Sequence, residues 1–260
     1  LLDAVGLRLL GDVPMGVFLS GGIDSSTIAA LMQSHSGQPV NSFSIGFSEV
    51  QYNEANHAKA VAKHLGTNHT EFYINSKEAQ DVIPQLPYIY DEPFADSSQI
   101  PTFLVSKLAQ KHVTVSLSGD GGDELFAGYN RHLWGDRLWN IVRRSPLFLC
   151  KTLATGLNAL GEDQWNAIFF HINKILPNRY HLQNSGRLAH QLARQLESKN
   201  KNEFYQGLVT HWNNPNELVL NSVEPTTLIT QTRQPSLSSY TEWMMAQDLV
   251  TYLPDDILTK

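Results

Sequence analysis

"FLSGGIDSSTIAA", residues 18–30, places two glycines, three serines and one aspartate between an apolar run and a helical-looking one. Val17-Phe18-Leu19 is short and apolar, as a strand buried on both faces would be. From Asp24 to His35, residues Ile28, Leu31, Met32 and His35 share one helical stripe, which Ser36-Gly37 stops. The stretch reads strand, loop, helix. In an open parallel sheet, ligands bind where strand carboxyl ends feed loops into helix N-termini, and Ser20–Ser26 occupies such a junction. Gly21 and Gly22 let the backbone turn tightly and aim N–H groups at one anion, while Ser20, Ser25 and Ser26 add hydroxyl donors. Asp24 would repel a phosphate unless a cation lay between them, and magnesium resolves that conflict. The chain has no G-x-x-x-x-G-K-S/T, so the phosphate loop of many ATPases and GTPases is absent. Taken alone, the stretch reads equally well as a glycine-rich turn in which Asp24 and Ser25 cap a helix.

Outward from this loop, strand and helix patterns alternate. Residues 1–10 carry Val5 and Leu9 at helical spacing, and Gly11-Asp12 with Pro14 ends that pattern. Ser42–Phe47 alternates apolar and polar, which predicts a second strand. Asn53 is expected to cap a helix with Ala58, Val61, Ala62 and Leu65 on one face and Gly66 at its end. His69–Ile74 predicts a third strand. Ser97 or Ser98 opens a helix with Ile100, Phe103, Leu104 and Leu108 facing inward, and Val113–Leu117 follows as a further strand. The expected fold is α/β, an open parallel sheet with helices on both faces, followed by a helical lobe. After about Asp123 the strand signal fades. Asn221–Ser238, with Pro225 and Pro235, is expected to be the most mobile segment. Ser239 and Glu242 then form a capping box for a helix through Tyr252.

Composition narrows the function classes. The chain has 260 residues, 42% of them hydrophobic, which is enough to bury a sizeable core. A net charge of -6 gives no general basic field, so nucleic acid is not an expected partner. Cys150 is the single cysteine, which excludes a disulfide framework or thiolate cluster and points to a reducing, cytoplasmic compartment; it is expected to be a packed thiol. No apolar run approaches the roughly 20 residues that span a bilayer, so no membrane partner is expected. The chain opens at Leu1 and stops at Lys260 inside an apparent helix, so it is expected to be a fragment of a longer protein.

The decision about the first loop comes from a second one. Ser118-Gly119-Asp120-Gly121-Gly122-Asp123-Glu124 follows a strand in the same structural position. Two such loops at one sheet edge would face each other. Three carboxylates within five residues on a glycine turn are costly unless solvated or shared with cations. An exposed acidic turn is the alternative for this loop alone; the pair of loops is better explained by a magnesium-nucleotide site.

"PMGVFLSGGIDSS" at 14–26 and "LSGDGGDELFAGYNR" at 117–131 resemble the synthetase domain of the glutamine-dependent asparagine synthetases. These belong to the ATP pyrophosphatases with the Ser-Gly-Gly-x-Asp-Ser loop and an adenine nucleotide alpha hydrolase-like sheet. "SFSIGF" and "DEPFADSS" stand in the expected order and spacing, so the resemblance covers most of residues 1–135; over 136–260 it rests on helical character and "YLPDDILTK". It implies an α/β core over 1–135 and a helical part of the same synthetase domain over 136–260. It implies that Ser20, Gly21, Gly22, Asp24, Ser25 and Ser26 hold the pyrophosphate end of ATP, with Asp24 and Asp123 as magnesium ligands. Leu19, Ile45, Ser118 and Gly119 would line the adenosine pocket. Asp120 stands where the family carries a glutamate that assists acyl-adenylate formation, and is one methylene shorter. Asp91–Ser98 likewise stands where better-studied members bear threonine and arginine.

The implied activity is ATP-dependent amidation of a carboxylate, most simply aspartate to asparagine, with ammonia from a glutaminase domain that nothing in this chain matches. Amidation of another carboxylate such as a sugar acid, and a nucleotide-binding module without catalysis, stay open, as does a homodimer. The family's phosphate-contacting lysine has no counterpart identified here, so residues 1–260 alone are expected not to turn over. Ten histidines offer no H-E-x-x-H and no cysteine-histidine cluster. His57 and His64 fit a solvated helix face, as do Arg143, Arg144 and Lys151. Trp134, Trp139, Trp165, Trp212 and Trp243 are expected to pack in the core or lobe.

Overall fold

The computed structural model describes residues 1–47, 54–91, 94–177, 181–182, 184–210, 219, 221–222, 227 and 237–260. The chain forms two compact units, Leu1–Phe126 with Thr251–Lys260, and Ala127–Val250.

The first unit is built on a parallel sheet of β1 (Met15–Phe18), β2 (Asn41–Phe47), β3 (Asn68–Ile74) and β4 (Val115–Leu117), in the order β3-β2-β1-β4. Val17 of β1 pairs with Ser42 on one side and Leu117 on the other and is completely buried. Alternation along the strands then sends neighbouring side chains to opposite faces. Val17 and Leu19 pack with Val5 of α1 (Leu2–Arg8), Ala29 and Met32 of α2 (Ile23–His35), and Ala58 and Ala62 of α3 (Ala55–Leu65). Phe18 and Phe43 pack on the other face with Val105, Leu108 and Ala109 of α6 (Gln99–Ala109) and with Val113. Helices thus cover both faces, as the sequence pattern predicts. Crossovers run outward from β1 to β2 and β3, and the chain then returns to place β4 on the other flank of β1. That reversal leaves a crevice beyond the carboxyl ends of β1 and β4.

Several local readings hold. Gly66 closes α3 in the left-handed conformation at φ 72°, and Thr67 N–H donates to Ala62 C=O at 3.1 Å. Asn53, the expected cap of α3, and Trp212 lie outside the described residues, as does most of Asn221–Ser238. β4 is shorter than the apolar run around it, because Val113 N–H still bonds Ala109 C=O and its side chain buries against Phe43. His35 shares the stripe of α2 yet is exposed, its ring Nε2 3.0 Å from the Leu2 carbonyl oxygen. α4 (Ser76–Val82) and α5 (Leu86–Tyr90) were not expected, although Asn75 and Glu78 form a reciprocal capping box at 3.0 and 2.9 Å.

The second unit is helical: α8 (Asn130–Val142), α9 (Leu147–Asn158), α10 (Glu162–Asn173), α11 (Ser185–Glu197), α12 (Lys201–Val209) and α13 (Tyr240–Val250). The capping box opening α13 forms as read, with Glu242 N–H donating to Ser239 Oγ at 3.1 Å and Ser239 N–H to Glu242 Oε2 at 3.3 Å. Its core joins Cys150, Ala154, Phe204, Tyr205, Tyr240, Trp243 and Met244, so the thiol is packed. Trp139, Trp165 and Trp243 are buried or half-buried, but Trp134 is 63% exposed, a correction to the packing role expected of it. Its ring lies on the solvent side of α8, with the Arg137 guanidinium 5.3 Å from its centroid.

Inside this unit Asp248 is completely buried and hydrogen-bonded to His132 Nε2 at 2.6 Å, Arg131 Nε at 3.2 Å and the Tyr205 hydroxyl, with Arg131 Nη2 forming an ion pair at 3.0 Å. A buried carboxylate is tolerable only with such satisfaction, and removing it strands the donors. Asp248→Ala should therefore lower stability by about 3–5 kcal/mol in urea denaturation followed by tryptophan fluorescence. A loss under about 1 kcal/mol would mean the network contributes little to the lobe.

Candidate functional site

The first loop begins where β1 ends. Leu19 N–H donates to Phe43 C=O at 2.8 Å, and its side chain stays buried. Gly21 turns at φ 84°, where a Cβ would lie 2.6 Å from the Ala58 nitrogen, so the loop runs directly against the start of α3. Ser25 Oγ accepts from Ser20 N–H at 3.2 Å and sits 2.9 Å from Ser20 Oγ, which accepts from Gly22 N–H at 3.2 Å. The serines thus brace their own loop. Gly22 caps α2, whose first amides have no carbonyl four residues back within the helix.

The second loop leaves β4 and enters α7 (Gly122–Phe126). Gly121 turns at φ 87°, Gly122 N–H donates to Gly119 C=O at 3.1 Å, and Ser118 Oγ donates to Asp120 Oδ2 at 2.8 Å. The loops touch. A Cβ on Gly119 would stand 2.7 Å from the Ser25 nitrogen, and one on Gly122 would stand 2.6 Å from Asp24 Cγ. A side chain at Gly119 would push the loop backbones apart, and one at Gly122 would displace the Asp24 side chain.

A cleft of about 580 Å³ opens at this junction. Of the residues singled out in the sequence, Leu19, Ser20, Gly22, Asp24, Ser25, Ile45, Ser118, Gly119, Asp120 and Asp123 line it. Gly21 and Ser26 do not: Gly21 shapes the turn, and Ser26 N–H is committed to Gly22 C=O at 3.1 Å. The cleft also takes in residues that the sequence reading passed over. Phe18, Phe43 and Val105 supply an apolar wall, Thr102 and Ser106 add hydroxyls from α6, and Glu54 and Lys260 add charge. Thr102 and Ser106 are legible in retrospect, as an i, i+4 polar pair on an otherwise apolar helix.

Lys260 follows a π-helical turn, Leu253–Ile257, and belongs to the first unit. Its Nζ lies 2.8 Å from Asp96 Oδ2 and 2.7 Å from Ser98 Oγ. Ser98 in turn donates to Asp96 from Oγ at 2.6 Å and from its amide at 2.8 Å. Burial pushes the Asp96 carboxyl up, but the hydrogen bonds from Lys260 and Ser98 and the Lys260 charge outweigh it and hold the group below the usual carboxylate range. Ser98 opens α6 without a side-chain cap bond because its hydroxyl is spent here.

Among the described residues no group of three or more His, Cys, Asp or Glu side chains is placed to hold a metal ion. Asp24 and Asp123 nonetheless line one cleft. Magnesium commonly takes one or two carboxylates and completes its shell with substrate phosphates and water, so this pair fits it only together with a phosphorylated ligand. No helix of the described residues is long and apolar enough to cross a membrane.

Comparison with known proteins adds to this geometry. The family described as asparagine synthase matches residues 1–260. A provisionally named glutamine-hydrolysing asparagine synthetase 2 of Methanocaldococcus jannaschii is 46% identical over 57% of this chain and 29% of its own length. The glutamine-hydrolysing asparagine synthetase 1 of Bacillus subtilis is 42% identical over 49% of this chain and 20% of its own. That of Brassica oleracea is 39% identical over 49% and 23%. The chain thus matches less than a third of the length of each of these relatives.

The contact between the loops is directly testable. Gly119→Ala and Gly122→Ala should each cost about 1–3 kcal/mol by overpacking, whereas Gly37→Ala, with open space around it, should be close to neutral. Thermal unfolding of the three variants checks the order; equal midpoints would mean the loops do not depend on close approach.

Proposed function

The chain belongs to the asparagine synthase family, and from that premise we propose that its paired loops hold ATP for amidation of a carboxylate through an acyl-adenylate. Aspartate is the simplest acceptor and asparagine the product. The observation that carries this reading is the contact of Gly119 with the Ser25 and Asp24 backbone and of Gly122 with the Asp24 side chain, which joins two strand-end loops into one cleft at the reversal of strand order.

A carboxylate resists direct attack by ammonia because oxide is too poor a leaving group. In this reading the acceptor oxygen attacks the α-phosphorus of ATP, pyrophosphate departs, and the acid becomes a mixed anhydride with AMP. Ammonia then adds to the carbonyl carbon, and AMP leaves with the former acid oxygen as the nitrogen loses a proton. Ser20, Gly21, Gly22, Asp24, Ser25 and Ser26 are assigned to the pyrophosphate end, at the amino terminus of α2. Leu19, Ile45, Ser118 and Gly119 are assigned to adenosine. Magnesium, held by Asp24 and Asp123, would neutralise charge on the departing pyrophosphate. Asp120, fixed by the Ser118 hydroxyl, is assigned to the reacting carboxylate.

On the same reading residues 1–135 carry the nucleotide chemistry and 136–260 are the helical part of one synthetase domain. The matched relatives are named as glutamine-hydrolysing, which supports ammonia delivered by a glutaminase domain of the whole protein. On the same reading residues 1–260 by themselves bind nucleotide without turning over.

Calorimetry should show ATP binding that requires a divalent cation, weakened about tenfold or more in Asp24→Ala and in Asp123→Ala. Undiminished affinity in both variants would remove the metal bridge. In the whole protein, aspartate, ammonia and MgATP should yield AMP, and Asp120→Asn should keep ATP affinity while slowing acceptor-dependent pyrophosphate release about a hundredfold. Equal loss of binding and release would assign Asp120 to the nucleotide. ATP binding without AMP from any carboxylate would make the protein a nucleotide-binding module.

A further inference from the structure

The helical unit holds a cavity of its own, of about 490 Å³, lined by none of the residues of the two glycine loops. It opens where two turns meet, residues 143–146 between α8 and α9 and residues 198–200 between α11 and α12. Trp139, Leu147, Cys150 and Leu196 give it an apolar side. Its charged lining is of one sign: Arg143, Lys199 and Lys201, with no Asp or Glu among the described lining residues. In a chain of net charge -6 that cannot be put down to general basicity.

None of the three cations takes part in an ion pair among the described residues. The nearby Glu203 carboxylate is spent on the Lys199 amide and the Asn200 side-chain amide, each at 2.9 Å. Ser145 and Ser198 hydroxyls donate to the Ile141 and Arg194 carbonyls at 2.8 and 3.4 Å, so neither has a proton left for a ligand. Helix dipoles account for Arg143 and Lys199, which follow the last turns of α8 and α11. They do not account for Lys201, the first residue of α12, where a positive charge is disfavoured. Its ammonium stands 4.6 Å from the centroid of the Trp243 ring, and burial holds it below the usual lysine range. Arg143 and Lys199 are exposed, so their flexible stems can bring both heads over the opening without breaking an ion pair. Three cations that offer only donors suit a dianion with several acceptor oxygens, and the apolar side beneath them suits a ligand with a hydrocarbon or ring body.

We propose that this cavity binds a small organic anion, a phosphate monoester with an apolar body, whose phosphoryl oxygens are held by Arg143, Lys199 and Lys201 while the body lies on Trp139, Leu147 and Leu196. The site is separate from the nucleotide cleft and does not rest on the reading of that cleft.

The test titrates phenyl phosphate calorimetrically into the whole protein, beside inorganic phosphate and benzyl alcohol, with MgATP present and absent. Phenyl phosphate should fill one site, bind more weakly as salt is raised, and bind about tenfold or more tighter than either partial ligand. Arg143→Gln and Lys199→Gln should each weaken it about tenfold. Leu147→Asp sets a carboxylate at the exposed first position of α9, where the helix dipole favours it, and should take binding below detection without loss of folding. MgATP should leave the affinity unchanged. No binding of phenyl phosphate, or undiminished affinity in all three variants, would overturn the proposal. Inorganic phosphate or benzyl alcohol binding as tightly as phenyl phosphate would overturn the pairing of charge with an apolar body. Competition by MgATP would overturn the separate site by assigning the probe to the nucleotide cleft.

Discussion

Everything at this site depends on two loop backbones approaching more closely than side chains would allow. Gly119 and Gly122 lie against Ser25 and Asp24 with no room for a methyl group, and that contact exists because β1 and β4 are hydrogen-bonded neighbours. Parallel pairing sends both carboxyl ends to the same edge, and the reversal of strand order sends their helices apart. Four short strands, a buried valine at the centre and two bare glycines together make a concave polar surface that neither loop could form alone.

The same arrangement separates rigidity from charge. Hydroxyls of Ser20 and Ser25 are turned inward to brace the first loop, and Ser118 braces Asp120 in the second, so the scaffold is held by neutral or singly charged hydrogen bonds. The carboxylates are left to face the cleft. Such a division suits a site that must receive a highly charged ligand, because little of the loop has to reorganise when the ligand's charge arrives.

Much of this was legible in the sequence because its signals are local. The alternation of Ser42–Phe47, the Gly66 stop and the Ser239–Glu242 box all act within one turn or one strand and form as read, while the apolar run at Val17–Leu19 falls in a strand that starts two residues earlier and ends at Phe18. The two glycine loops were recognisable from composition, and ten of the twelve residues singled out in them and their flanks line one cleft. What escaped was non-local or ambiguous. Pro84 and Pro87 disguise the helical stretch after Asn75, although both fall in first turns where proline is tolerated. Trp134 has the size of a core residue, but its position on α8 leaves it facing solvent. Lys260 could not be seen at all, since its partners Asp96 and Ser98 lie far back along the chain and no periodicity connects them.

The return of Thr251–Lys260 to the first unit has a consequence for how the protein is made. Residues 1–126 can pair their strands as they leave the ribosome, but Thr251–Lys260 emerges only after Ala127–Val250 has been synthesised. While that insert is a flexible tether, closing it costs on the order of 4 kcal/mol of chain entropy. Once the insert folds on its own core, the tether becomes a fixed span and most of that cost is gone. Covalent connectivity thereby puts the sheet ahead of the helical insert, and the insert ahead of the lysine-bearing strap, in the order of synthesis.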